Sequence, residues 1–161
     1  MTDTFFILSA KYLFILPAVI FGIYFLKQPR QAQKHILMFA LPSLLLTYLM
    51  ALVAGHFYND PRPFVVGHFT PLVPHAPDNG FPSDHALLVS AVAAIGTSLN
   101  YKLGIVLWVF VLIVAIARVY VGIHHPIDVV AVPTSCQTAS QVELGYPAQV
   151  ASFLFLYPAV L

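Results

Sequence analysis

Three short polar islands interrupt an otherwise apolar chain, and their residue types are those that bind and transfer phosphate. The first is Asp60-Pro61-Arg62-Pro63-Phe64, the second Phe81-Pro82-Ser83-Asp84-His85, and the third Arg118 followed by His124-His125-Pro126-Ile127-Asp128. A guanidinium is a planar fork of donors that matches phosphate oxygens. A histidine oriented by a carboxylate is a nucleophile or a base. The start of a helix presents free N–H groups and the positive end of a dipole to an anion. Ionisable groups in or beside membrane spans are costly and therefore tend to be functional.

Each island also has a plainer reading. Pro61 and Pro63 stiffen the backbone around Arg62 and remove two donors, yet a loop arginine at the headgroup level would look the same. Ser83 follows Pro82 and precedes an apolar helix, which makes it an N-cap candidate. His85 then falls in the first turn, beside any anion held there. Asp84 is a favourable charge at a helix start and takes no chemical step. Taken alone, this island is better read as an ordinary capped helix with an interfacial histidine. Arg118 near a span end can snorkel to headgroups, and Tyr120 can serve as an interfacial anchor. Asp128 is four residues from His124 and three from His125, so spacing leaves either pairing open. The histidines could bind zinc, but two arginines would repel a cation, so no metal is expected. A single cysteine, Cys136, excludes an internal disulfide and a cysteine-built zinc site.

The elements that must position these residues are membrane helices. Of 161 residues, 60% are hydrophobic and 8% charged, with a mean hydropathy of +0.87; a soluble domain carries roughly 25% charged residues. The net charge of +1 gives no sign of nucleic-acid binding. The N-terminus lacks the basic start and small-residue cleavage site of a signal peptide. Runs of about 20 apolar residues cross a bilayer. They are expected from about Phe5 to Leu26 (interrupted by Lys11), His35 to Phe57, Ser83 to Leu99, and Leu103 to Val121. The expectation is an all-α polytopic transmembrane bundle, one domain over residues 1–161, with four spans and a doubtful fifth. After Asp128, Pro133-Thr134-Ser135-Cys136-Gln137 is polar where a fifth span would continue, and the last apolar run, Pro147 to Leu161, contains Pro158. Ala91, Ala93, Ala94 and Gly96 are candidates for a close-packed helix face. Lys27, Arg30 and Lys34 separate the first two spans and Lys102 the third and fourth. Positive loops stay in the cytoplasm. The loop from about Tyr58 to Pro82 and the turn from Gly122 to Asp128 are therefore expected together on the extracytoplasmic face.

With these residues in place, the pattern resembles the type 2 phosphatidic-acid phosphatase superfamily. That family carries Arg-Pro, then Pro-Ser-Gly-His, then Arg-x5-His-x3-Asp. Here they stand as Arg62-Pro63, Pro82-Ser83-Asp84-His85, and Arg118, His124 and Asp128. The family spacing selects His124 over His125. The stretch from Pro74 to His85 looks like the bacterial undecaprenyl-diphosphate phosphatase branch, the bacitracin-resistance type. The resemblance runs over roughly residues 5–130, leaving an atypical segment at 131–161. Three departures stand out. The lysine often found upstream of Arg-Pro is absent, and the nearby positions hold Gly55 and His56, so that contact is either missing or supplied by His56. Asp84 replaces glycine. The family's six-helix body is cut down.

The resemblance implies hydrolysis of a lipid diphosphate, undecaprenyl diphosphate to the monophosphate, at the outer face of a bacterial plasma membrane. It implies that His124 attacks phosphorus to form a phosphohistidine, Asp128 supports it, and His85 protonates the leaving oxygen. Arg62, Ser83 and Arg118 would hold the phosphoryl oxygens, with no cofactor. Alternatives are a phosphatase for phosphatidic acid or phosphatidylglycerophosphate, a membrane protein that binds anionic lipids without chemistry, and an inactive fragment.

Overall fold

The computed structural model describes residues 1–131. The expectations for the segment from Pro133 onward, including the doubtful fifth span, fall outside that range. Within it the regular structure is helical, apart from one isolated antiparallel bridge between Pro61 and Asn79.

α1 (Thr2–Tyr12) and α2 (Ile15–Leu26) form one apolar run bent by 51°. Pro17 accounts for the bend. It has no N–H to donate, and in a straight helix its ring would collide with the carbonyl of Leu13 four residues back. α3 (Arg30–Phe57) has 28 residues, about 42 Å at 1.5 Å per residue. α4 (Pro63–Val66) is a single turn with proline at its first position, where the missing N–H does no harm. α5 (Asp84–Leu99) and α6 (Tyr101–Tyr120) meet at Asn100. The Asn100 carboxamide oxygen accepts from the N–H groups of Lys102 and Leu103 at 3.0 and 3.1 Å, capping α6.

The apolar pattern is turned outward. Leu41, Leu45 and Leu52 on α3 and Ile105, Leu112 and Ile116 on α6 are exposed, a surface suited to lipid rather than water. α3 and α6 are long and apolar enough to cross a membrane, and the bent α1–α2 pair makes a third such span if taken as one. The run expected from Ser83 to Leu99 is α5, Asp84–Leu99, and like the expected run it is short for a span. α5 has 16 residues, about 24 Å against a hydrocarbon core of roughly 30 Å. Its surroundings explain why that is tolerated. α5 packs against α2, α3 and α6, and Ala86, Val89, Ala93 and Ile95 are among its buried residues. A helix enclosed by protein need not match the lipid thickness.

Small residues let α5 and α6 approach closely, as expected for this part of the chain. Ala93 sits at the centre of a cluster with Val89, Leu107, Val111 and Val114, while Ala91 and Ala94 face Leu44 of α3. At Gly96 a Cβ would come 2.5 Å from Leu107 Cδ1, and at Gly104 it would come 2.7 Å from Thr97 Cα. Thr97 in turn accepts the indole N–H of Trp108 at 3.1 Å. At the other end α1 is clasped to α6. The Tyr120 hydroxyl donates to Asp3 at 2.9 Å and its ring stacks on Phe6.

Glycine to alanine inside a helix ordinarily gains up to about 1 kcal/mol, whereas overpacking a tight contact costs about 1–3 kcal/mol. At Gly104 the obstacle is backbone, so the second effect wins. Gly104→Ala is expected to lower the thermal midpoint of the purified protein in detergent, while Gly22→Ala, with nothing within 4 Å of its Cβ, leaves it unchanged or raises it.

Candidate active site

The three islands meet at one end of the bundle, around the His124 imidazole. Gly122 makes this possible. Its φ of +79° is open to glycine but disfavoured for other residues, and a Cβ there would stand 2.7 Å from the Phe69 ring. The turn delivers His124 into a buried position. Its Nε2 lies 2.9 Å from Arg118 Nη2 and 3.3 Å from Arg62 Nη1. A guanidinium has donors only, so Nε2 must accept, and it carries the lone pair. The ring proton then sits on Nδ1, which faces Asp128 Oδ2 at 3.4 Å. That carboxylate oxygen is itself fixed by the His125 backbone N–H at 2.7 Å.

Each arginine is held by backbone carbonyls as well. Arg118 does not snorkel: it is buried, and Nη1 donates to Ala10 O at 3.3 Å. Ala10 lies in the last turn of α1, where the bend interrupts the helix and leaves carbonyls without helical partners. Arg62 is equally buried. Its Nη1 donates to Ile123 O at 2.9 Å, and Nε donates to Asp78 Oδ1 at 2.6 Å. Burial works to raise the Asp78 carboxyl, but the hydrogen bond and charge of Arg62 prevail and hold it below its ordinary value.

The second island contributes differently from the capping expectation. Ser83 stands at the N-cap position of α5, but its hydroxyl caps nothing. The Oγ is buried without a partner, while the Ser83 backbone N–H donates to Asp128 O at 3.2 Å. His85 lies half-buried in the first turn of α5 with its ring edge-on to Phe14, 4.4 Å between centroids. Asp84 is exposed. His125 turns away from the His124 pocket and contacts Pro61 O at 3.2 Å. His56 is exposed with its ring against Phe57, and Gly55 lies under the Phe81 carbonyl. His56 therefore does not supply the contact missing at the upstream lysine position.

Buried polar atoms without partners are rare and call for an explanation. Among the described residues these atoms are Ser83 Oγ, Arg118 Nε, His124 Nδ1, Asp128 Oδ1 and Ser90 Oγ. All but the last belong to this cluster. Asp128 Oδ1 is an acceptor and His124 Nδ1 faces the same carboxylate, but the free Ser83 Oγ and Arg118 Nε stand with the two guanidiniums in one small region, an arrangement able to hold an anion. The same surroundings keep His124 neutral. Burial first, then the charges of Arg118 and Arg62, push its pKa down to about 3.

Four further residues build the site and were not assigned roles from sequence. Asn79 is a knot. Its carboxamide oxygen accepts from the N–H groups of Asp60 and Phe81 at 2.9 and 3.0 Å, and its nitrogen donates to Gly55 O and Tyr58 O, both at 3.1 Å. Gly80 leaves room for the carboxylate, since a Cβ there would stand 3.1 Å from Asp128 Oδ2. Asp78 steadies Arg62. His75 brings its ring centroid to 6.5 Å from that of His124. The Asn-Gly pair does signal a turn, but partners 16 or more residues apart leave no trace in local spacing.

A buried imidazole lodged between two guanidiniums in a helical membrane protein is a geometry able to receive a phosphoryl group. The chain belongs to the PAP2 superfamily, which residues 36–132 match. It is 34% identical over 130 residues to undecaprenyl-diphosphatase BcrC of Bacillus subtilis, covering 79% of this chain and 65% of that protein. The chain thus spans just under two thirds of that relative's length. Its fold is similar to that of LpxE from Aquifex aeolicus, with a TM-score of 0.69 at 19% identity over 90% of this chain and 86% of the other. It is also similar to the transmembrane PAP2 type phosphatidylglycerolphosphate phosphatase from Bacillus subtilis, with a TM-score of 0.61 at 24% identity over 88% and 72%. The apolar helices and these membrane homologues make it an integral membrane protein.

Two outcomes follow from the geometry. Asn79→Ala removes bonds that tie the first island to the second, and a misplacement of about 1 Å can lower a rate about 10²-fold. Any phosphatase activity is expected to fall on that scale in the variant and its thermal midpoint to drop, whereas Asn59→Ala, at an exposed neighbour, changes neither. For pH, the unfolded chain takes up a proton on His124 near its ordinary value of 6.5, and the native site resists until about 3. The unfolded state binds more protons in that window, so stability is fully present above it and falls as pH drops through it. Thermal midpoints measured from pH 7 to pH 4 should fall more steeply for the wild type than for His124→Gln.

Proposed function

We propose that the protein hydrolyses the terminal phosphate of a membrane lipid diphosphate, with undecaprenyl diphosphate as substrate and the monophosphate as product. The observation that carries this reading is the His124 Nε2 lone pair lodged between Arg118 and Arg62 at 2.9 and 3.3 Å. A phosphoryl group entering that space would have its oxygens on the arginines and its phosphorus at the nucleophile. The similarity to undecaprenyl-diphosphatase BcrC supports this substrate.

His124 Nε2 attacks the terminal phosphorus and the bond to the bridging oxygen breaks. His85 donates a proton to that oxygen, and the lipid monophosphate leaves. The ring, now phosphorylated on Nε2 with its proton on Nδ1, is cationic and is stabilised by Asp128. Water activated by the deprotonated His85 then attacks phosphorus, the P–N bond breaks, and orthophosphate departs with His85 reprotonated and His124 restored. Arg62, Arg118 and the Ser83 hydroxyl hold the phosphoryl oxygens throughout. Phosphoryl transfer depends on positioning and charge neutralisation, and donors fixed in a dry site meet developing charge without reorganising. The protein itself supplies that positive charge.

In the membrane, α1–α2, α3, α5 and α6 are read as four embedded helices. Lys27, Arg30, Lys34 and Lys102 flank the ends remote from the islands in sequence, which supports a site on the extracytoplasmic face of a bacterial plasma membrane.

The test is phosphate release from undecaprenyl diphosphate by the purified chain in detergent with EDTA present. Release should persist in EDTA, disappear in His124→Ala, and fall about 10²- to 10⁴-fold in His85→Gln. Retained turnover in His124→Ala would overturn the nucleophile. Release from phosphatidic acid or phosphatidylglycerophosphate alone would move the substrate to a monoester. Binding of undecaprenyl diphosphate without any release would replace the enzyme by a lipid-binding protein.

A further inference from the structure

His75 lies outside the three islands, yet the fold brings it to their meeting point. Its ring is edge-on to His124, 6.5 Å between centroids. Its Nδ1 stands 3.8 Å from Asp78 Oδ1, the same oxygen that accepts from Arg62 Nε, and 3.4 Å from Ala76 O. Its Nε2 makes no hydrogen bond among the described residues. The side chain is 28% exposed, so it sits at the mouth of the site rather than in its floor.

The position is held. Two residues earlier, Val73 is buried in a cluster with Ala10, Ala117, Val121 and Ile123. The Leu72 N–H donates to Val121 O at 3.0 Å, joining the loop to the turn that carries His124. Three residues later Asp78 is ion-paired to Arg62. Pro74 and Pro77 bracket the intervening chain and restrict its backbone. Nδ1 faces two acceptors, the Asp78 carboxylate and Ala76 O, and so carries a proton; the ring therefore donates to an anion through Nε2–H as the imidazolium, and it is in that form that His75 is free for a ligand.

The donors deeper in the site are largely committed. Arg62 gives Nε to Asp78, and both terminal nitrogens also contact backbone carbonyls, of Ile123 and Asn79. Arg118 gives Nη1 to Ala10 O. What remains of the two guanidiniums faces His124, where a terminal phosphoryl group would sit. A second phosphate, joined through one oxygen, would lie outward of the first and beyond those donors. His75 is at that mouth.

We propose that His75 binds the second, leaving phosphate of a diphosphate substrate and so makes the site prefer diphosphates to phosphate monoesters. This rests on the reading of the site as a lipid phosphatase. A hydrogen bond to a charged group is worth about 1.5–3 kcal/mol, or roughly 10- to 100-fold. His75→Ala is expected to lower kcat/KM for undecaprenyl diphosphate by that factor and to leave kcat/KM for phosphatidic acid within about twofold. His75→Lys, which restores a donor, should recover part of the loss. An equal fall on both lipids, or no fall on either, overturns the proposal. A merely structural role for the loop predicts the equal fall.

If no lipid is turned over at all, the phosphatase reading fails, and the recognition is still measurable by thermal protection. Inorganic pyrophosphate should raise the midpoint of the wild type more than orthophosphate does. His75→Ala should abolish that difference. Retention of the difference in His75→Ala, or its absence in the wild type, overturns the proposal independently.

Discussion

Two positive charges are held against one neutral imidazole in the interior of a membrane protein, and the rest of the structure is arranged around that constraint. Arg62 and Arg118 repel one another, and neither is solvated in the buried site. Buried charge is tolerated only with partners. Those partners come from distant places: a carbonyl exposed by the break in the first span, the carbonyl preceding His124, and the Asp78 carboxylate on the long loop. The Asp128 carboxylate stands beyond the imidazole, and the unpartnered Ser83 and Arg118 atoms remain beside the guanidiniums as groups able to meet an anion.

The bend between α1 and α2 links local sequence to this site. Pro17 breaks the helix, and the break places two contacts at once. Ala10 O receives Arg118, and Phe14 at the corner meets the His85 ring. A straight helix would engage that carbonyl in its own ladder and remove the corner. A proline that looks merely tolerated in an apolar run thus positions residues from the second and third islands.

The long loop acts as a second scaffold. Asn79 fastens it to α3, Val73 buries it against α1 and the His124 turn, and Asp78 ties it to Arg62. Positive charge at the site then depends on the loop being folded. The short, enclosed α5 sits beneath, and its close contact with α6 through Gly96 and Gly104 keeps the second and third islands at a fixed separation.

The sequence alone was enough to determine the membrane character and to point to the family. Arginine, histidine and aspartate at the family spacing carry that resemblance, and apolar runs reveal helices because burial and backbone satisfaction impose them locally. The tertiary structure decided the rest. It turned Ser83 from a capping residue into a buried free hydroxyl, set His125 against Pro61 and His124 between the arginines, and enclosed the short Ser83 to Leu99 helix among α2, α3 and α6. It also brought in Asn79, Gly80, Asp78 and His75. These outcomes depend on contacts between residues far apart in the chain, and no local pattern of charge or hydropathy encodes which distant carbonyl or carboxylate a buried guanidinium will find.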